Sequence, residues 1–156
     1  MSPNLRAFLQ MIAVSELTAR LLAISDNGYN VLVGSTKDHP RLFSSYVDHP
    51  RQLINLPRLG INSTAAGRYQ ILARFFDAYK KQLGLKDFSP ASQDAIAVQM
   101  IRECKALADI EAGRLSSAIE KCRSRWASLP GAGYGQREND LETLVLAFRR
   151  SGGVIA

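Results

Sequence analysis

The sequence predicts an α+β fold that is mostly helical, with a small β-lobe in the N-terminal third. Apolar residues recur at helical spacing along most of the chain, beginning with the stripe at i, i+3, i+4 and i+7 within residues 5–16. Residues 29–33 and 42–47 are instead short runs rich in β-branched and aromatic side chains, which is typical of strands. Strands grouped before a series of helices indicate the α+β class.

Residues that end or begin helices set the predicted boundaries. Asn4 is a candidate N-cap of the first helix, and Ser25-Asp26-Asn27-Gly28 predicts a turn after it. Gly84 suits the end of a helix over 72–83, and Ser89-Pro90 suits the start of the next. Further helices are predicted over 107–112, 116–128 and 138–150, and irregular structure over 55–63 and 130–136.

The chain length predicts one domain. Its 156 residues, 46% of them hydrophobic and 22% charged, are enough to bury one sizeable core. We expect a single catalytic domain over 1–156, with the β-lobe at about 26–64 and a helical lobe formed by the remainder. The apolar run at 7–14 is interrupted by Gln10 and followed by Glu16, so it predicts a helix of the domain and not a signal peptide or a stable membrane insertion.

The net charge of +6 predicts an anionic partner, which could be nucleic acid, a membrane surface or an acidic polymer such as cell wall. A nucleic-acid-binding module would carry its basic residues on one helix face. Here they are scattered over many elements, so nucleic-acid binding is a remote alternative.

The cysteines and histidines do not form a metal-binding pattern. Cys104 and Cys122 are not part of a C-x-x-C pair, and we expect them to be reduced, although an oxidising compartment would permit a disulfide. His39 and His49 lie in two identical tetrapeptides, DHPR at 38–41 and at 48–51. A turn unit used twice explains this repeat better than a metal site. The sequence therefore predicts no metal and no cofactor.

Glu16 is the residue that departs from the apolar pattern. It follows Ile12 by four positions, so it lies on the apolar stripe of the first helix. A carboxyl on such a face is either paired or protonated near neutral pH, and a protonated carboxyl is what a general acid requires. The alternative is that Glu16 lies in a frayed last turn and reaches water.

Two other segments, 67–70 and the glycine-rich 131–136, also depart from simple packing patterns. Glycine allows backbone to approach a ligand closely, and loop tyrosines stack on sugar or base faces. Together with Ser15-Glu16, these segments suggest a cleft.

Several stretches resemble the lambda-endolysin family of phage lytic transglycosylases, also called lambda lysozymes. The resemblance covers nearly the whole chain. The sequence differs from the family mainly at 18–26, at 35–42 and at the C-terminus. The matching stretches are GY at 28–29, VLVG at 31–34, DHPR at 48–51, AGRYQ at 66–70, KQLGLKDFSP at 81–90 and WASLPGAGYGQ at 126–136.

The resemblance implies a lysozyme-like fold with two lobes around a saccharide cleft. It implies that Glu16 is the acid/base that cleaves the β-1,4 bond between N-acetylmuramic acid and N-acetylglucosamine in peptidoglycan, leaving a 1,6-anhydro sugar. It also implies a monomer that accumulates in the host cytoplasm, depends on a separate holin-type membrane protein for release, and then acts on the wall in the periplasm.

A hydrolytic muramidase that uses Glu16 and Asp26 is the alternative enzyme. Phage lysozymes of the hydrolytic class carry Glu, eight residues, Asp, five residues, Thr, but here Ser25 and Val31 stand at the second and third positions. Asp26 misses the pattern by one residue. A transglycosylase needs one carboxyl, because the sugar's own 6-hydroxyl replaces the water that a second carboxylate would position.

The remaining candidate residues are contacts to substrate. Gln70 could hydrogen-bond an N-acetyl group or Glu16, and Tyr134 could pack on a sugar face. Trp126 lies on an apolar helix stripe and is predicted to be core. The full set of predicted substrate-binding residues is Ser15, Tyr69, Gln70, Ser128, Tyr134 and Gln136.

Overall fold

A computed structural model of the chain describes residues 1–135 and 137–156. Helices predominate and one short antiparallel hairpin is present, so the predicted α+β class is confirmed. The helices are α1 Pro3–Ala23, α2 Ala73–Leu83, α3 Pro90–Glu103, α4 Leu107–Glu111, α5 Leu115–Cys122 and α6 Leu141–Arg150, and the strands are β1 Ile54–Leu56 and β2 Ile61–Ser63.

The chain divides into two compact units. The first comprises Met1–Glu16 and Val98–Ala156, and the second comprises Leu17–Ala97. The core of the first unit includes the fully buried Phe8, Ile12, Ile101, Trp126 and Phe148. The core of the second includes Val31, Tyr69, Phe76, Phe88 and Ile96. The core position predicted for Trp126 is confirmed.

The helix starts and ends show where local sequence decides structure. Gly84 ends α2 in a left-handed conformation, and the Ser89 hydroxyl accepts from the Ser92 N–H at the start of α3, as predicted. Asn4 is not an N-cap, which corrects the prediction. The Ser2 hydroxyl accepts from the Leu5 N–H, and the Asn4 amide reaches backbone of the C-terminal segment instead.

The β-structure differs from the prediction. The runs at 29–33 and 42–47 are not strands; they contribute single bridges, such as Val31 with Leu42. The only strands among the described residues lie within 54–63, and residues 55–63 of that range were predicted to be irregular. Pro57 and Gly60 form the turn of that hairpin, since the Gly60 N–H donates to the Pro57 carbonyl.

The two DHPR tetrapeptides have different environments. His49 is buried and bonds the Ile71 carbonyl through Nε2, while its Nδ1 accepts from the Arg51 N–H, which is the behaviour of a turn unit. His39 is exposed. Within residues 1–135 and 137–156, no three acidic, His or Cys side chains cluster in a way that could hold a metal ion. Cys104 and Cys122 are free thiols.

None of the helices in the described part of the chain combines the length and the apolar character needed to span a membrane.

Gly67 occupies a position that only glycine fits. Its φ is +81°, and a Cβ there would overlap Oε1 of the fully buried Gln93. Gln93 connects three backbone segments, because its carbonyl oxygen accepts from the Arg68 N–H and its Nε2 donates to the Tyr29 and Phe88 carbonyls. This cluster fixes the backbone on either side of the AGRYQ motif.

We expect Gly67→Ala to lower the free energy of unfolding by about 2–4 kcal/mol, because it combines positive-φ strain with displacement of a buried hydrogen-bonded amide. Gly60→Ala is the matched control, because Gly60 has φ +63° but open space around its Cβ position. That control should cost only about 1 kcal/mol, the strain alone. Denaturant unfolding of both variants checks this, and equal costs would contradict the role assigned to Gln93.

Candidate active site

Glu16 ends the regular part of α1. Phe8 and Ile12 lie on the same face of the helix and are fully buried, whereas Glu16 is partly exposed. Two residues later the helix is interrupted at Thr18, whose φ of 74° and ψ of 152° fall outside the helical region. A β-branched residue rarely adopts a positive φ, so the backbone is strained beside Glu16. The Thr18 hydroxyl accepts from the Leu21 N–H and so caps the following turn.

The Glu16 carboxyl favours its protonated form. Burial raises its pKa to about 8, and a hydrogen bond from the Ser128 hydroxyl acts in the opposite direction with a smaller effect. Burial disfavours the carboxylate because the charged form loses its hydration. A pKa of about 8 favours the protonated form at neutral pH, which is the state that a general acid requires.

A chain of hydrogen bonds joins the loop before α6 to Ser128 and to Ser15, the residue that precedes Glu16. The Asn139 Nδ2 donates to the Ser15 hydroxyl over 3.0 Å and to the Ser15 carbonyl over 2.9 Å. The hydroxyl oxygens of Ser15 and Ser128 lie 2.8 Å apart. The Ser128 carbonyl also accepts from the Asn139 N–H over 2.8 Å. The structure thus brings together Ser15, Glu16 and Ser128.

Asn139 is a residue that the sequence reasoning missed. It follows the glycine-rich loop in a stretch without periodicity, and its partner Ser15 is 124 positions earlier in the chain. A local pattern cannot indicate a contact of that separation. The sequence offered one weak indication of its role. Asn139 directly precedes Asp140, the N-cap of α6, at the end of the glycine-rich loop that was predicted to contact substrate.

The glycine-rich loop is held by a carboxylate. Gly131 and Gly133 have positive φ, and their N–H groups donate to the two oxygens of Glu138 over 2.9 and 3.0 Å. These bonds hold the pKa of Glu138 below its usual value. Tyr134 lies between Gly133 and Gly135 and is 57% exposed. Its hydroxyl donates a long hydrogen bond of 3.4 Å to the Ser124 carbonyl. Gln136 lies outside the described residues.

Tyr69 and Gln70 belong to the second unit. Tyr69 is 1% exposed and donates to Asp94 over 2.6 Å, and Tyr29 donates to the same oxygen over 2.9 Å. Burial, followed by the charge of Asp94, raises the pKa of Tyr69 far above its usual value. The guanidinium of Arg68 lies 5.3 Å from the Tyr29 ring and 5.8 Å from the Tyr69 ring. Tyr69 is thus committed to a buried network.

Gln70 is half-buried and has a positive φ of 52°. Its Nε2 donates to the Gly67 carbonyl over 2.8 Å and to the Val31 carbonyl over 3.3 Å. The amide nitrogen therefore braces its own loop, which leaves the carbonyl oxygen as the group that could meet a ligand.

Asp26, the second carboxyl of the hydrolase alternative, is exposed and accepts a hydrogen bond from the Tyr46 hydroxyl. Burial, followed by Asp26, raises the Tyr46 pKa well above its usual value, so that hydroxyl remains a donor.

Comparisons with known proteins identify the family of this chain. The sequence model of the Endolysin family matches residues 6–155. The chain is 53% identical to the endolysin of Escherichia phage P2, with 98% of this chain and 95% of the relative covered, and 51% identical to the endolysin of Escherichia phage lambda, with 96% and 92% covered.

Solved structures agree as well. Bacteriophage lambda lysozyme complexed with a chitohexasaccharide superposes with a TM-score of 0.90 at 46% identity, covering 100% of this chain and 98% of that one. A second structure, lysozyme from bacteriophage lambda, gives a TM-score of 0.86 at the same identity and coverage. The lysozyme-like fold expected from the sequence is confirmed, and the chain belongs to the endolysin family.

Proposed function

We propose that this peptidoglycan-cleaving enzyme is a lytic transglycosylase that uses Glu16 as its only acid/base. The proposal rests on the position of Glu16 on the apolar face of α1, two residues before the helix is interrupted at Thr18, where burial raises its pKa to about 8. The bond cleaved is the β-1,4 bond from N-acetylmuramic acid to N-acetylglucosamine. This proposal agrees with the resemblance to lambda endolysins.

In the first half of the reaction, Glu16 gives its proton to the glycosidic oxygen while the bond from that oxygen to C1 of N-acetylmuramic acid breaks. The leaving sugar departs as an alcohol. A group with a pKa near the working pH is both largely protonated and able to release its proton. The raised pKa of Glu16 satisfies that condition.

In the second half, the Glu16 carboxylate accepts the proton of the 6-hydroxyl while O6 bonds to C1. The ring closes to 1,6-anhydro-N-acetylmuramic acid and Glu16 regains its proton. No water is consumed and no second carboxylate is needed, because an intramolecular hydroxyl has a very high effective concentration. The hydrolytic alternative would require Asp26 to act on water.

The saccharide partner is supported by the relative solved with a chitohexasaccharide, from which we carry glycan binding to this chain. Tyr134 offers the exposed ring for stacking on a sugar face, and Gln70 offers a carbonyl oxygen. Tyr69, Ser15 and Ser128 are buried, so their predicted contact with substrate stays a prediction. A direct role for Gln136 stays a prediction.

The biological role we propose is host-cell lysis. The enzyme accumulates as a monomer in the host cytoplasm, requires a separate holin-type membrane protein for release, and cleaves the wall in the periplasm. Its positive charge of +6 favours association with an acidic wall polymer.

Glu16→Gln should abolish wall cleavage while preserving the fold, because the amide cannot donate a catalytic proton. We expect a loss of at least about 100-fold in the rate of turbidity clearing of purified peptidoglycan. Glu120→Gln, which replaces an exposed carboxylate on α5, is the control and should retain full activity. A fully active Glu16→Gln enzyme would rule out the proposal.

Asp26→Asn should leave activity within about twofold, because the transglycosylase route has no step for a second carboxylate. Mass spectrometry of the released fragments should find 1,6-anhydro-N-acetylmuramic acid ends. Ends about 18 Da heavier, from added water, together with an inactive Asp26→Asn enzyme, would establish the hydrolase instead.

Glu16 should also make stability depend on pH. Burial raises its pKa from the ordinary value of 4.5 to about 8, so the folded state holds a proton that the unfolded state releases between these values. The stabilising contribution is complete below pH 4.5 and is lost as pH rises to about 8. The loss is about 1.4 kcal/mol for each unit by which folding raises the pKa.

Glu16→Gln should remove this dependence and become more stable than the wild type as the pH approaches 8. Urea unfolding of both proteins between pH 4 and about 9 measures the difference. A difference that does not change with pH would show that burial does not raise this pKa.

A further inference from the structure

We propose that Glu138 is a positioning residue that fixes the glycine-rich loop so that Tyr134 presents its ring to the glycan. The inference rests on the proposed function, because its premise is that Tyr134 packs on a sugar face, and it names the group that holds this contact in place. Glu138 is an exposed residue that follows the loop, and both of its carboxylate oxygens bond back to it.

The loop has little conformational preference of its own. Gly131, Gly133 and Gly135 alternate with Ala132 and Tyr134, and all three glycines have φ between +75° and +77°. Because glycine adopts positive and negative φ almost equally, each of these positions loses much conformational entropy when the loop takes one shape. A loop of this composition therefore needs a contact from outside its own backbone to hold one arrangement.

Glu138 supplies that contact through two backbone N–H groups. The Gly131 N–H donates to Oε1 of Glu138 over 2.9 Å, and the Gly133 N–H donates to Oε2 over 3.0 Å. A backbone that alternates in the sign of φ forms a concave set of N–H groups that binds anions. Here the anion is a side chain of the same chain, five residues beyond the second glycine. The N–H groups lower the pKa of Glu138, so both oxygens accept at neutral pH.

The base of the loop is anchored separately, to the residue that precedes Glu16. The Asn139 N–H donates to the Ser128 carbonyl over 2.8 Å, and the Asn139 side chain donates to the Ser15 carbonyl over 2.9 Å. Glu138 directly precedes Asn139 in the chain. Its carboxylate therefore connects an anchored base to the glycines of the loop.

The position of the Tyr134 ring follows from the backbone that Glu138 holds. Tyr134 comes directly after Gly133, is 57% exposed, and donates only a long bond of 3.4 Å to the Ser124 carbonyl. A bond of that length restrains the ring weakly. A ring that is already in place costs no further ordering when the glycan binds. On a loose loop it is competent only part of the time, and affinity falls by that fraction.

Glu138→Ala tests the contact, and glycan binding is measured in a Glu16→Gln background so that no glycan is cleaved. We expect the Kd for a chitohexasaccharide, from isothermal titration calorimetry, to rise about three- to tenfold, the range that one aromatic contact contributes. In the active enzyme the apparent KM for peptidoglycan should rise by the same factor. The kcat should stay within about twofold, because the contact is made equally in the ground state and the transition state.

Asp140→Ala is the matched control from two positions later. It removes an exposed carboxylate that accepts from the Thr143 N–H and caps α6, so it lowers Tm but leaves the bonds to the glycines intact. Its Kd should match that of the parent protein. Glu138→Gln serves if Glu138→Ala does not fold. Its amide keeps one acceptor oxygen for two N–H groups, so the Kd should still rise.

Two further measurements separate positioning from a general loss of stability. Exchange of the Gly131 and Gly133 amide protons with water, followed by NMR, should be faster in Glu138→Ala and unchanged in Asp140→Ala. In a double-mutant cycle, Tyr134→Ala should raise the Kd, and Glu138→Ala added to it should raise it no further. Unchanged exchange, faster exchange with an unchanged Kd, or additive effects on the Kd would each overturn the proposal.

An unchanged Kd in Tyr134→Ala would overturn it as well, because the contact of the ring with the glycan is its premise. These binding measurements do not depend on whether the glycan is then cleaved by transglycosylation or by hydrolysis. The analysis of the released fragments decides that question separately, so failure of the loop contact and failure of the proposed reaction are distinguishable.

Discussion

The site depends on removing a carboxyl from water while giving it a neutral partner. Glu16 and Asp109 show what the partner decides. Asp109 is only 5% exposed, yet its pKa is lowered to about 2, because Lys121 and Arg114 bond its two oxygens. Burial raises the pKa of Glu16 to about 8, and the Ser128 hydroxyl opposes that shift with a smaller effect. Burial with cations yields a structural ion pair, whereas burial with a hydroxyl yields an acid.

Local sequence predicted the helices well because their signals are local. The start of α3 at Ser89-Pro90 and the end of α2 at Gly84 depend on residues within one turn. The strands were not predictable in the same way. Residues 29–33 have the composition of a strand but meet only single partners, whereas the actual hairpin at 54–63 has Asn and Pro in place of the usual β-branched run. Strand pairing is decided by the partner.

The candidate site was predictable in part for a similar reason. Glu16 is a charged residue on the apolar stripe of its own helix, so the residues at 5–12 are enough to mark it as unusual. Ser15 was noticed only as the neighbour of Glu16, Ser128 was named without a pattern of its own, and Asn139 was not predicted at all. The links among these three residues are hydrogen bonds across more than 100 positions of chain, except for Asn139 to Ser128, which spans 11. No periodicity carries information at that range.

A hydroxyl chain suits a group that must both give and take one proton. An arginine beside Glu16 would hold the carboxylate ionised, and the first proton transfer would have no donor. A purely apolar surround would hold the acid protonated, and the second transfer would have a poor acceptor. A serine hydroxyl contributes a bond that is stronger to the carboxylate than to the acid, so it keeps the pKa near the working pH instead of at either extreme.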